Sequence, residues 1–227
     1  MLNQSKQSKK RKKRVISKKR ELIKASILIL LIATALRVFV VFPQKLPDDA
    51  MQNSLYSGDF MMVSKITYKF NSPAIGDLVV FDHPFRPEEK LARRVIATAG
   101  QTVEIVGKMV YINDEPISDY PSVTHSDYRI LPSEFSTRDY CPPQQVPSGQ
   151  VYVLADNRDQ AEDSRDFGFV DLSVIKGKSL FVYFSWAPDP NAPVMESPYI
   201  IPAIQLFFYN LFHFPSRIRW DRFFVTS

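Results

Sequence analysis

The period of the apolar positions changes twice along the chain, and each change marks a different kind of element. Residues 6–20 carry KKRKKR and KKR with few apolar side chains between them. Residues 22–42, LIKASILILLIATALRVFVVF, are apolar almost throughout. That length suits a helix crossing the hydrocarbon core of a bilayer, with Lys24 and Arg37 snorkelling toward opposite interfaces. The uninterrupted part, residues 25–36, is short for a span, so the two snorkelling cations complete it. Beyond Phe42 the pattern becomes short β-rich runs bounded by turn residues. Strands are predicted over 60–65, 78–82, 92–98, 102–106, 108–112, 150–155 and 178–184. Gly58-Asp59, Gly76-Asp77, Gly100, Asn113-Asp114, Gly149 and Gly177 supply turns or bulges between them. Residues 119–147 are polar and proline-bearing, an excursion or small lobe with weak internal structure. Residues 199–214 are aromatic-rich and interrupted by Pro202, which suits an interfacial helix or a membrane-resting loop better than a second span.

Charge refines this division. The formal net charge is +5, but the first twenty residues hold ten Lys or Arg and no acid, leaving 19 bases against 24 acids, or −5, for the remainder. The basic excess therefore belongs to a tail, residues 1–21, beside an apolar span, residues 22–42. By the positive-inside rule the tail is cytoplasmic, and residues 43–227 form a mainly β domain on the outer face of the membrane, with the lipid bilayer as a partner. A cleaved signal peptide would share the basic and apolar regions, but VFPQKLPDD offers no small-x-small site. A nucleic-acid arm is the weaker alternative for the tail, and no nucleic-acid partner is expected. At 227 residues with 45% hydrophobic content the chain supports one substantial core. Cys141 has no second cysteine to pair with, and His83, His125 and His213 are scattered, so neither a metal nor another cofactor is expected.

Residues 155–170, ADNRDQAEDSRDFGFV, pack carboxylates, arginines and an asparagine between an apolar run and a GFV turn. This segment resembles the last box of the type I signal peptidases, GDNRDNSxDSRxxG, matching it at Asp156, Asn157, Arg158, Asp159, Asp163, Ser164, Arg165 and Gly168. Three earlier segments resemble the family's other boxes in the family's order. Residues 36–65 resemble an arginine at the end of the anchor followed by PSGSMxPTLxxGDxxxVxK, with Pro47 on the proline, Met51 on the methionine and Gly58-Asp59 on Gly-Asp. Residues 76–81, GDLVVF, resemble a supporting strand, and residues 92–105 resemble KRVxGLPGD, with Arg94 on the arginine. The resemblance implies a signal peptidase-like β domain behind one N-terminal transmembrane helix in a bacterial-type cytoplasmic membrane. It also implies a serine nucleophile and a lysine general base acting on the signal peptides of exported preproteins.

The positions that would carry this chemistry are changed. Ala50 stands at the nucleophilic serine, Arg93 at the lysine, Ala161 at a serine that orients the lysine, and Asp48 at the serine that helps bind the oxyanion. A methyl group cannot attack a carbonyl, and a guanidinium stays protonated with no lone pair to offer. A carboxylate at the oxyanion position would repel the developing negative charge. Ser54 and Ser57 are alternative nucleophiles, although a shift of several residues misplaces the attacking oxygen. A triad from Ser164, His83 or His125, and Asp156 has no support in its spacing. Asp156, Asp159 and Asp163 with Arg94, Arg158 and Arg165 are expected to form partly buried ion pairs supporting the site. The interleaved arginines argue against a paired-carboxylate catalytic centre. Met51, Met61, Met62, Val63 and Ser64 are candidates for binding an extended peptide along an exposed strand edge. The expected function is an inactive or severely impaired family member that binds precursors or modulates an active signal peptidase. The alternatives are active cleavage by a non-standard site and a purely structural membrane protein.

Overall fold

The computed structural model describes residues 2–45, 49–193 and 200–226. Contacts divide the chain into two compact units, residues 1–41 and residues 42–227. The first is a helix, α1 (Leu2–Phe39), whose part Lys18–Phe39 has 22 residues and a mean hydropathy of 2.2, long and apolar enough to cross a membrane. The backbone of the basic head continues this helix, where charge repulsion alone predicts disorder. Lys, Arg and Gln are good helix formers, and no Gly or Pro interrupts residues 2–39. The helix stops at Phe39, short of residue 42, because the β-branched Val40 and Val41 lead into Pro43 and the chain turns to strand.

The second unit is mainly β. Its strands are β1 (Val41–Lys45), β2 (Asp59–Ser64), β3 (Leu78–Asp82), β4 (Lys90–Thr98), β5 (Thr102–Val106), β6 (Met109–Ile112), β7 (Glu115–Pro116), β8 (Tyr140–Gln145), β9 (Gln150–Leu154), β10 (Val170–Asp171) and β11 (Ile175–Ser185). Short helices α2 (Thr67–Phe70) and α3 (Ser164–Phe167) punctuate them, and α4 (Ile200–Arg217) follows. Seven strands form one sheet in the order β1-β2-β11-β3-β4-β9-β10, and four form a second in the order β7-β6-β5-β8. Each predicted strand is present, β3 and β5 with the predicted ends and the others with shifted ones. β8 went unpredicted because Pro142 and Pro143 read as a loop, and it occupies the edge of its sheet, where missing N–H groups are tolerated. Residues 199–214 fall mostly in α4, whose Pro202 sits in the first turn, where no helical N–H is lost.

β3 shows why a short apolar run becomes a central strand. Leu78 and Val80 face one core cluster, with Met51, Leu55, Met61 and Val182. Val79 and Phe81 face another, with Leu91, Val95 and Val153. Both faces are covered, so the strand reads as continuous rather than alternating apolar sequence. A register shift between Val95 and Ala97 then sends Ile96 and Ala97 into a third cluster shared with β5, β6 and Tyr152 of β9. Gly177 allows β11 to approach β2, since a Cβ there would lie 2.0 Å from the Ser64 carbonyl oxygen. Gly58 has φ +88° and packs beneath Trp186, where a Cβ would meet the Trp186 oxygen at 2.1 Å.

Candidate active-site cleft

Residues of three of the family-like segments, 36–65, 92–105 and 155–170, line a cleft of about 640 Å³. Ala50, Arg93 and Ala161 all line it, so three positions far apart in sequence converge on one surface. Asp48 lies outside the described residues. Ala50 sits in a turn held by the Gln52 N–H to Asp49 oxygen bond (3.1 Å) and the Leu55 N–H to Met51 oxygen bond (2.7 Å). Asn157 ties that turn to the last box by donating its N–H to the Ala50 carbonyl at 2.8 Å. Asn53 has φ 80°, a left-handed conformation that asparagine tolerates and proline cannot adopt. The turn after Met51 is therefore built for asparagine, not for the proline of the family pattern.

Opposite Ala50 lies the first half of β4. Its register with β3 runs from Asp82↔Lys90 to Leu78↔Arg94, whereas its pairing with β9 begins only at Arg94↔Leu154. The bond from the His83 N–H to the Glu89 oxygen (2.9 Å) sets the alternation, so Lys90 and Ala92 direct their backbone polar groups away from β3. Lys90, Leu91 and Arg93 line one wall of the cleft and Gln44 of β1 contributes to it as well. The slot thus offers part of a strand edge. Arg93 lies across that edge: its Nη1 donates to the Ala92 oxygen at 2.7 Å and its Nε to the Glu162 oxygen at 2.8 Å. Its side chain is among the largest fully buried ones in the chain, at 1% exposure.

The peptide-binding candidates do not present an open edge. Met51, in the turn beside Ala50, and Met61, Val63 and Ser64 of β2 are buried, and Met62 is half-buried. β2 lies between β1 and β11, so its edges are occupied by the protein's own strands. The open strand edge in the cleft belongs to β4. The signal available for this in the sequence was weak: KLARRV reads as one strand, and nothing in it marks where the β9 partner ends.

The charged residues of the last box form a girdle behind the cleft. Arg94 binds Asp156 through two bonds, Nε to Oδ1 at 2.9 Å and Nη2 to Oδ2 at 2.7 Å, and both side chains are buried. Ser122 donates to Asp156 at 2.8 Å, while Ser54 also donates to it and accepts from Arg94 at 2.8 Å. Burial pushes the Asp156 carboxyl up, but Arg94, followed by the Ser54 and Ser122 hydroxyls, brings it below the ordinary carboxylate range. Asp163 caps α3, accepts from the Ala155 N–H at 3.0 Å and holds Arg165, which also donates to the Arg138 and Arg158 carbonyls. Ser164 accepts from the Val153 N–H at 2.9 Å.

Two pairings differ from those expected within the box. Asp159 pairs with Lys108 at 2.7 Å, and Arg158 faces Asp119 at 3.4 Å. Both partners belong to the region around β5, β6 and the 119–147 segment, which the local sequence of the box does not reveal. Burial lowers the Arg158 pKa, with Asp119 opposing the shift. Asp163 finds Arg165 only two residues away. The side-chain oxygen Oδ1 of Asn157 is buried without a hydrogen-bond partner, although Asn157 lines the cleft.

Of the alternative nucleophiles, Ser54 donates its hydroxyl to Asp156, a carboxylate that Arg94 holds below the ordinary range and that is therefore a weak base, and it also accepts from Arg94. Ser164 contacts the Val153 N–H, His83 faces Glu162, and His125 faces Asp119. The proposed triad is therefore not assembled by these contacts. The described residues contain no group of three or more His, Cys, Asp or Glu placed to hold a metal ion.

The family model described as "Signal peptidase, peptidase S26" matches residues 19–186. A "Probable signal peptidase I-1" from Synechocystis sp. is 34% identical over 172 residues, covering 73% of this chain and 82% of the relative. A "Signal peptidase I" from Aquifex aeolicus is 26% identical over 242 residues, covering 84% of this chain and 94% of the relative. A solved signal peptidase I from Enterococcus faecalis overlaps 48% of this chain and 97% of its own at 29% identity, with a TM-score of 0.38. Through its matched segment, its mainly β domain and its N-terminal apolar helix, this chain belongs to the type I signal peptidase family, peptidase S26.

Proposed function

We propose that this chain is a membrane-anchored signal peptidase family member that has lost peptidase chemistry and retains a cleft for extended precursor peptides. The observation that carries the proposal is the convergence of Ala50, Arg93 and Ala161 on one cleft. Hydrolysis there requires a nucleophilic oxygen and a proton acceptor, and these three side chains supply neither. α1 anchors the chain with its basic head in the cytoplasm and the β domain on the outer face of the membrane. A signal peptide would lie in the cleft and pair with the backbone of Lys90 and Ala92 once the Arg93 side chain leaves the Ala92 oxygen. Such an occupant makes the protein an escort for exported precursors or a modulator of an active signal peptidase.

A second reading has the relatives in its favour: they are named signal peptidases, so this chain would cleave preproteins through a non-standard site. The two separate in one comparison. The unaltered chain and the triple variant Ala50→Ser/Arg93→Lys/Ala161→Ser are each purified in detergent and incubated with a secretory precursor. Cleavage by the triple variant alone supports the silent cleft, whereas a shortened product from the unaltered chain supports the second reading.

A further inference from the structure

α4 turns its apolar side outward. The other side makes the polar contacts: Tyr209 donates its hydroxyl to Asp189 at 2.7 Å, and Asn210 accepts at 2.6 Å from Arg217 in the helix's own last turn. Arg217 also holds the Ala187 carbonyl and stacks over Trp186 at 4.6 Å. On the opposite arc, Ile204, Phe207, Phe208, Leu211 and Phe212 follow helical spacing, and each is between 51% and 77% exposed. No acidic residue or lysine lies in the helix. A helix resting on a globular domain in water normally does the reverse, burying its apolar stripe and exposing its charges. An exposed aromatic face of this kind marks a binding surface.

We infer that α4 is a second membrane-contact element, which lies in the lipid–water interface with the Ile204, Phe207, Phe208, Leu211 and Phe212 face in the acyl region. Two features of the chain select lipid over another occupant. α1 already requires hydrocarbon, so a bilayer is held at high effective concentration for every other part of the chain, whereas a second copy has to be encountered. The face is also aromatic and free of acids, the composition that partitions into a membrane interface, with Gln205 and His213 off the apolar arc. The helix lies beyond the matched residues 19–186, so this contact is not part of what the family match covers. The inference rests on the membrane anchoring proposed above.

The test uses the full chain in lipid nanodiscs, with a nitroxide attached to one introduced cysteine at a time; the native Cys141 is buried. The variants are Phe208→Cys, Phe212→Cys, His213→Cys and, as an anchor control, Ile29→Cys. Labels at 208, 212 and 29 are expected to relax faster with oxygen than with a water-soluble nickel chelate, and the label at 213 to show the reverse order. Nickel accessibility at 208 and 212, with residue 29 still in lipid, overturns the role of α4 alone. An aqueous residue 29 overturns the anchor, and the inference with it. Dipolar broadening between labels at 212 identifies a second copy as the occupant and overturns the lipid assignment.

Discussion

Replacing Asp156 by alanine should be the most damaging single change outside the cleft, because it strands the Arg94 guanidinium in a nearly dry environment. The side chains of Arg94 and Asp156 are 8% and 1% exposed, and two short bonds join them. The substitution also removes the acceptor for the Ser54 and Ser122 hydroxyls. Removing one partner of a buried pair costs about 3–5 kcal/mol, against about 0–1 kcal/mol for an exposed pair. For a domain of this size, a loss of that magnitude lowers Tm by roughly 6–20 °C. Thermal unfolding of the detergent-solubilised chain, followed by far-ultraviolet circular dichroism at fixed heating rate, reads the change. The double variant Arg94→Met/Asp156→Leu should recover more than half of the loss, since no charge is then left buried. A Tm fall of less than about 2 °C for Asp156→Ala would refute the buried-pair account and place the pair in the solvated class. A double variant no better than the single one would contradict the stranded-charge explanation.

Other outcomes follow from the same structure. Asp156 and Asp159, together with Asp139, which Arg138 holds at 2.8 Å beside the last box, all have carboxyl pKa values held below the ordinary range, each by cationic partners that outweigh burial. Their stabilisation is complete above the unfolded value of about 3.9 and is lost as pH falls through their lower folded values. Tm should therefore decline steeply below about pH 4, and an unchanged Tm down to pH 2 would contradict the girdle. Gly177→Ala should destabilise the domain by about 1–3 kcal/mol, because the added methyl meets the Ser64 carbonyl at 2.0 Å; an unchanged Tm would show that β11 and β2 are not so closely apposed. Arg93→Met removes the donor to the Ala92 oxygen and should strengthen binding of a signal peptide about 2–10-fold, measured by fluorescence anisotropy. Weaker binding in that variant would mean that Arg93 contacts the peptide instead of covering the strand edge.

The sequence carried the elements that depend on local pattern. β3 was legible because LVVF is bounded by Gly76-Asp77 and Asp82, and both of its faces meet apolar partners. Ala50, Arg93 and Ala161 lie far apart in sequence and were grouped by motif order alone, and all three line the one cleft. Long-range pairing was not legible. Asp159 selects Lys108 from the turn between β5 and β6, and Arg158 faces Asp119 at the start of the 119–147 segment, tertiary approaches with no local period. The same limit moved the peptide edge from β2 to β4. Whether a strand edge is open depends on which strand neighbours it, and β1 lies in an extended link whose pairing has no turn signal. The helical basic head shows the opposite balance, since helix propensity prevailed there over like-charge repulsion.

The most direct measurement places the unaltered full chain, reconstituted in lipid, in excess over a preprotein and reads the mass of every product by intact mass spectrometry. With Ala50 and Arg93 facing the bound chain, the preprotein should remain whole for as long as it does in empty vesicles. A mature-length product that forms only in the presence of the chain, and that disappears when one of its remaining serines is replaced, would contradict the account.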